Sequence, residues 1–420
     1  MKKTHKTIAS VSLLGALLSC QPSAGQVDLW DLPPLRYSDQ TPTDALSKLA
    51  RDWQSGTAKL TGHTPLARMH EVLRALKVPA TSQVLVYSKT SKQNGLIHPG
   101  NPRALFFSRD CYAGYVPGGV MEIIINDPKL GQVFYLIELG NESRPPKVER
   151  DTSDCLSCHG TGRTENVPGV LIRSVFPDED GHPLLSFGSG VVTHETPIPE
   201  RWGGYYVTGK IALPHLGNRT YADGRKAKAA TSDLVSLDGH LDAKKYPVNT
   251  SDIVALMLLE HQCQAHNLLT AASMNYQRAH FLSKSIDPDG DHDQGAAGRV
   301  AEQAAQRIVE WFLFKTEAEM GDDGVEGSEA FQKEFSESIP RAKNGDSLAD
   351  FQLNTRLFKN RCSYMIYSDA FRNLPTAVKS RVLTRLKTIL DAPTCDNEFT
   401  SMKLSERRRI ATILRDTGVL

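Results

Sequence analysis

Near residue 250 the hydrophobic pattern of this 420-residue chain changes period, and that change limits what each part can fold into. Before it, apolar residues come in short β-rich runs: Val84 to Tyr87, Ala104 to Phe107, Ala113 to Val116, Met121 to Ile125 and Val133 to Glu138. Pro117-Gly118-Gly119, Asp127-Pro128 with Gly131, and Asp178-Glu179-Asp180-Gly181 supply turns between such runs. Val170 to Phe176, Pro183 to Phe187 and Tyr205 to Thr208 read as further strands, and Gly140 to Asp154 as a polar link. Beyond residue 250, Ile253, Met257, Leu258, Ala265, Leu268, Leu269 and Ala272 recur at helical spacing, with Ser251 as a possible N-cap. Helices follow around Arg299 to Phe312, Ser347 to Phe371, Ala377 to Leu390 and Ser405 to Arg415. Two shorter helical patterns, Asp44 to Trp53 and Leu66 to Leu76, lie near the start. The expected class is α+β: a β-rich N-terminal half, then an all-helical C-terminal half.

Within the β-rich half, Cys155-Leu156-Ser157-Cys158-His159 forms a C-x-x-C-H pentad, the attachment signature of a c-type haem. Each thiol can add to one haem vinyl group, and the adjoining histidine can ligate the iron. On one helical turn, positions i, i+3 and i+4 share a face. With 7 Cys and 13 His in the chain, chance produces such a pentad with a probability of about 0.004. A zinc site of this type needs a second ligand pair, and no second C-x-x-C occurs. The expected cofactor is one covalent haem c on Cys155, Cys158 and His159.

Haem c is attached outside the cytoplasm, and the N-terminus fits export. Lys2, Lys3 and Lys6 precede an apolar run from Ile8 to Leu18, too short to span a bilayer. The run ends Leu17-Leu18-Ser19-Cys20, which resembles a bacterial lipobox with Cys20 as the lipidated residue. The expected organisation is a lipoprotein signal peptide (1–19), an N-terminal extension (20–75), a β-rich haem c-binding region (76–245) and a helical region (246–420). The mature protein is expected on the periplasmic side of a bacterial membrane, held by its lipid. A net charge of +1 argues against a nucleic-acid partner. Cys111, Cys263, Cys362 and Cys395 remain, and in an oxidising compartment allow one or two disulfides in three possible pairings.

The pentad with Gly160-Thr161, Val167-Pro168-Gly169-Val170 and the run Glu200-Arg201-Trp202-Gly203-Gly204-Tyr205-Tyr206-Val207-Thr208-Gly209 resembles a poorly characterised family of bacterial c-type cytochrome-domain proteins. Glu260-His261-Gln262, His266-Asn267 and Cys362 to Ser368 belong to the same resemblance. It implies haem binding and electron transfer, and no particular substrate.

The second axial position decides the function. A second His or Met gives a six-coordinate iron suited to electron transfer, and an open position admits a small molecule. His194 and His215 follow the pentad in the section expected around the haem, and His261 falls on an apolar helical stripe. These three are the candidates. Each competes with a core or hydrogen-bonding role. Methionines are weaker, since none occurs between His159 and Met257. Arg163, Arg173 and Arg201 are candidates for pairing with haem propionates. Asp287, Asp289 and Asp291 imitate an EF-hand start, but His292 stands where Gly is needed and Gly298 where Glu is needed. Trp202 and the two glycines after it read as a packed turn. Two functions follow: a monohaem electron-transfer protein serving a periplasmic redox partner, or a peroxidase-like enzyme or small-ligand sensor with an open distal site.

Overall fold

A computed structural model describes residues 28–222, 228–394 and 399–420. The signal segment, Cys20 and Cys395 lie outside the described residues. The class is α+β, with an antiparallel sheet in the N-terminal half and helices in the C-terminal half.

Two amphipathic helices open the described chain, α1 (Ala45–Ser55) and α2 (Pro65–Ala75). Asp44 caps α1 by accepting from the Ser47 amide at 2.8 Å, and Thr64 caps α2 with Pro65 at the first helical position. An antiparallel meander follows: β1 (Val84–Val86), β2 (Arg103–Ser108), β3 (Cys111–Tyr115), β4 (Met121–Asp127), β5 (Gly131–Glu138) and β6 (Lys147–Asp151). The pentad forms α3 (Leu156–His159), a single turn. β7 (Arg173–Val175) pairs with β8 (Ser189–Val191), and β9 (Tyr205–Tyr206) returns to pair with β1. The main sheet therefore has seven strands in the order β6-β5-β4-β3-β2-β1-β9. The short β10 (Lys210–Ile211) pairs with the distant β11 (Val325–Glu326).

The sheet is covered on both faces. β3 is buried at all five positions, Cys111 to Tyr115. Cys111 and Ala113 join an apolar cluster with α1 and α2, while Tyr112 points into a cluster with the C-terminal helices. The centre of that second cluster is α4 (Ile253–Ile286), a 34-residue helix whose first 20 residues are almost entirely buried. Packed around it are α5 (Ala296–Phe312), α6 (Glu329–Glu337), α7 (Asp369–Arg372), α8 (Thr376–Asp391) and α9 (Leu404–Asp416).

Four sequence expectations differ from the structure. The link from Gly140 to Asp154 contains strand β6, and Pro183 to Phe187 ends in a 3-10 turn rather than a strand. Ser347 to Phe371 is not a helix. It is an irregular buried segment ending in a 3-10 turn, Tyr364–Tyr367, and the first turn of α7. Its backbone groups are met by side chains instead of helical neighbours: the Ser347 amide by Asp350 at 2.8 Å and the Ser347 carbonyl by Asn360 at 2.8 Å. The N-cap of α4 is Asp252, not Ser251, which spends its hydroxyl on Leu85 and Tyr206.

Candidate functional site

One face of the sheet makes the floor of a deep cavity. The register places Leu105, Gly114, Glu122 and Leu136 in one cross-strand row, and Tyr112, Ile124 and Phe134 in the next. All seven line the cavity, joined by Val170 to Arg173, by Tyr205, by Leu259 and Cys263 of α4, and by Cys155, Cys158 and His159. The cavity volume is about 200 Å³, below the roughly 300–1,000 Å³ common for cofactor sites.

The pentad turn is fixed from below. Asp151, the last residue of β6, accepts from the amides of Ser153 and Cys155, both at 3.0 Å. Cys155 is half-buried and Cys158 exposed. Burial, with the Asp151 carboxylate beside it, pushes the Cys155 thiol up to about 12.

The half-buried His159 has its Nδ1 2.9 Å from the Gly169 carbonyl oxygen. An Nδ1–H donated there leaves the Nε2 lone pair free for a metal, the arrangement that orients ligating histidines. Burial lowers its pKa, which also favours the neutral, ligating form. Phe134 packs against the ring with centroids 5.4 Å apart.

Gly169 and Val170 are held by α4. The Val170 amide donates to Asn267 Oδ1 at 2.9 Å, and Asn267 Nδ2 donates to the Val170 carbonyl at 2.8 Å. A Cβ on Gly169 would sit 2.4 Å from Asn267 Oδ1, so this approach requires glycine.

Two arginines face the cavity. Arg103 Nη1 lies 2.6 Å from Glu122 Oε2, and Arg173 Nη2 donates to Ser189 at 2.7 Å. The Nε atoms of both are buried without a hydrogen-bond partner. The cavity thus combines two thiols, one oriented imidazole, apolar walls and two guanidinium groups with spare donors. That donor set matches a covalently held haem with two propionates.

The other predicted residues lie elsewhere. His194 and His261 meet each other, Nδ1 to Nδ1 at 2.7 Å, and His261 Nε2 reaches Ser363 Oγ at 2.6 Å. Trp311 stacks on His194 with centroids 3.8 Å apart. Burial holds His261 down to about 3 and pushes His194 well below its ordinary value. His215 is buried edge-on against Trp202 and lowered to about 4, again by burial. None of the three lines the cavity. Among its described lining residues His159 is the sole histidine, and no methionine occurs.

Arg201 is buried with Glu260, at 2.7 Å, and Trp202 donates to the same carboxylate at 2.5 Å. Burial pushes Glu260 up to about 7, against the pull of Arg201. Of the three arginines considered for propionates, only Arg173 lines the cavity; Arg103 was not foreseen. The Trp202 turn packs in the core, where a Cβ on Gly203 would meet the Val175 carbonyl at 2.1 Å. Cys111, Cys263 and Cys362 are buried and free, so no disulfide joins them. Among the described residues no group of three or more His, Cys, Asp or Glu is arranged to hold a metal ion, and no helix is long and apolar enough to cross a membrane.

No protein-family profile, curated protein or solved structure matches the chain.

Proposed function

We propose that the protein is an exported, lipid-anchored monohaem c-type cytochrome that passes single electrons to and from a periplasmic redox partner. The observation that carries this is the convergence of Cys155, Cys158 and His159 on one apolar cavity, with His159 Nδ1 held by the Gly169 carbonyl at 2.9 Å. Bound haem supplies the one-electron couple. Cys155 and Cys158 hold it, and Cys158, being exposed, places that edge at the surface where a partner protein docks. His159 would present Nε2 to the iron, and Arg103 and Arg173, both lining the cavity, would pair with the propionates. The anchor rests on Cys20 and the preceding Leu17-Leu18-Ser19.

A pyridine haemochrome spectrum of protein exported by a host with the haem c attachment machinery tests this. One c-type haem per chain is expected, with loss of stable haem in Cys158→Ser. A chain that leaves the attachment machinery without haem refutes it. Fatty-acid labelling that disappears in Cys20→Ser tests the anchor.

The second reading, a small-ligand sensor or haem enzyme, is favoured by the rest of the cavity lining. Tyr112, Tyr205, Leu259 and Cys263 stand there rather than a second imidazole or thioether. Burial pushes the Cys263 thiol and both phenols up, so they stay neutral. Rapid carbon monoxide binding by the ferrous protein selects this reading, and its absence selects the electron carrier.

A further inference from the structure

Tyr112 lines the pentad cavity, and its hydroxyl lies 2.6 Å from Nδ1 of His266 on α4. His266 is fully buried, and its Nε2 makes no direct hydrogen bond. That atom lies 3.9 Å from Oδ1 of Asp110, in the turn between β2 and β3. Asp110 is partly exposed and lines a second cleft of about 1010 Å³, bordered by the charged side chains of Asp44, Lys48, Arg109, Glu334 and Arg372. Tyr112, His266 and Asp110 thus lie in a row between the two cavities.

The donors run in one direction. With Nδ1 accepting from the phenol, the neutral ring carries its proton on Nε2, the atom that faces the carboxylate. The groups around this chain favour that order. Burial pushes Asp110 up, but His266 and Arg109 pull it further down and hold it as a carboxylate. It also accepts from the Asp369 amide at 2.7 Å. Cys263 and Tyr364, the other titratable groups at Tyr112, are both buried and neutral.

We propose that Tyr112, His266 and Asp110 form a proton wire between the pentad cavity and the second cleft, so that a change of charge in the cavity is balanced by proton exchange with solvent in the cleft. A proton arriving at the Tyr112 oxygen is matched by transfer of the phenolic proton to His266 Nδ1. A turn of the Asp110 side chain that closes the 3.9 Å gap lets the Nε2 proton pass to its carboxylate and leave through the cleft. One proton enters and one leaves. Gain of an electron in the cavity drives the same sequence in reverse.

This rests on the haem reading, and the experiment separates the two. The full haem-loaded chain is titrated redox-wise between pH 5 and 9. One proton per electron makes the couple change tenfold per pH unit, or about 59 mV. A slope approaching that value is expected over part of the range. Tyr112→Phe, which removes only the hydroxyl, and His266→Gln are each expected to cut the slope by at least half. Asp52→Asn, in the cleft but outside the chain of donors, is expected to keep it. A flat profile in the parent protein, or a slope unchanged in both Tyr112→Phe and His266→Gln, overturns the wire.

If the chain carries no haem, the functional reading fails and the wire is read on the haem-free protein by ring 15N resonances of His266. Asp110→Asn is then expected to move the Nε2 resonance and Tyr112→Phe the Nδ1 resonance. Invariance of both overturns the proposal on its own.

Discussion

Asn267→Ala tests how the pentad histidine is aimed. In the native arrangement the Asn267 carboxamide meets both backbone groups of Val170, at 2.9 Å and 2.8 Å, and Val170 is 3 % exposed. Truncation leaves a buried N–H and a buried C=O without these partners. Each such group costs about 1–3 kcal/mol, so the pair costs about 2–6 kcal/mol, less if a water enters the space. The loss is local to the 169–170 segment, whose Gly169 carbonyl fixes His159 Nδ1. Two readouts are therefore expected to move together. The urea midpoint falls without a change in the slope of free energy against urea, and the ferric optical spectrum of the haem-loaded chain shifts or broadens. Asn267→Asp keeps the acceptor for the Val170 amide but sets a carboxylate against the Val170 carbonyl, and is expected to be no better than alanine. A variant within about 0.5 kcal/mol of the parent with an unaltered spectrum would refute the argument, since that is the scatter of neutral surface changes.

Three further outcomes are expected. Burial depresses the His261 pKa to about 3 against an unfolded value near 6.5, so stability is intact above pH 6.5 and is lost as pH falls toward 3. Between pH 6.5 and 4.5 this group alone removes about 2 kcal/mol; urea unfolding at the two pH values should show it, and His261→Gln should flatten the difference. Glu260→Gln strands the buried Arg201 guanidinium and is expected to cost about 3–5 kcal/mol, read as a lowered Tm; replacement of both partners together should recover part of it. Glu122→Gln removes the carboxylate that pairs with Arg103 at 2.6 Å, freeing that arginine for an anionic group in the cavity. The haem-loaded variant should show a raised midpoint potential, and an unchanged potential would count against Arg103 as a propionate partner.

Local signals in the sequence translated well. The five strands between Val84 and Glu138 fall within one or two residues of their β-rich runs, because alternation and turn residues act at short range. β6 escaped notice because Lys147-Val148-Glu149-Arg150-Asp151 is an exposed edge strand with four charges and no apolar face to repeat. Ser347 to Phe371 misled in the opposite sense. Leu357, Phe358, Tyr364 and Met365 mimic a helical stripe, yet the segment buries them with its backbone held by Asp350 and Asn360. The pentad was legible as five consecutive residues, whereas its cavity was not. The floor depends on the pairing register of four strands, and no spacing along the chain encodes that Leu105, Gly114, Glu122 and Leu136 stand in one row. His261 was rightly placed inward, but its partners lie 67 and 102 residues away.

Helix α4 explains why those distant partners are specific. A helix buried on all sides gains its apolar stabilisation in many rotational settings, so hydrophobic contact alone fixes its register poorly. Polar residues remove that freedom, since an unpaired buried group costs more than a methylene misplaced. Within eight residues α4 places Glu260 on Arg201 and Trp202, His261 on His194 and Ser363, Gln262 on Tyr364 and Ser108, His266 on Tyr112, and Asn267 on Val170. A rotation of one residue, about 100°, would break all of them together. The same helix supplies Leu259 and Cys263 to the cavity wall. The placement of Leu259 and Cys263 in the cavity wall and the aim of His159 therefore depend on the same helix setting. On this reasoning, loss of any one of the five polar residues should disturb the cavity as well as global stability. A purely apolar truncation of similar cost on the α5-facing side should lower stability alone.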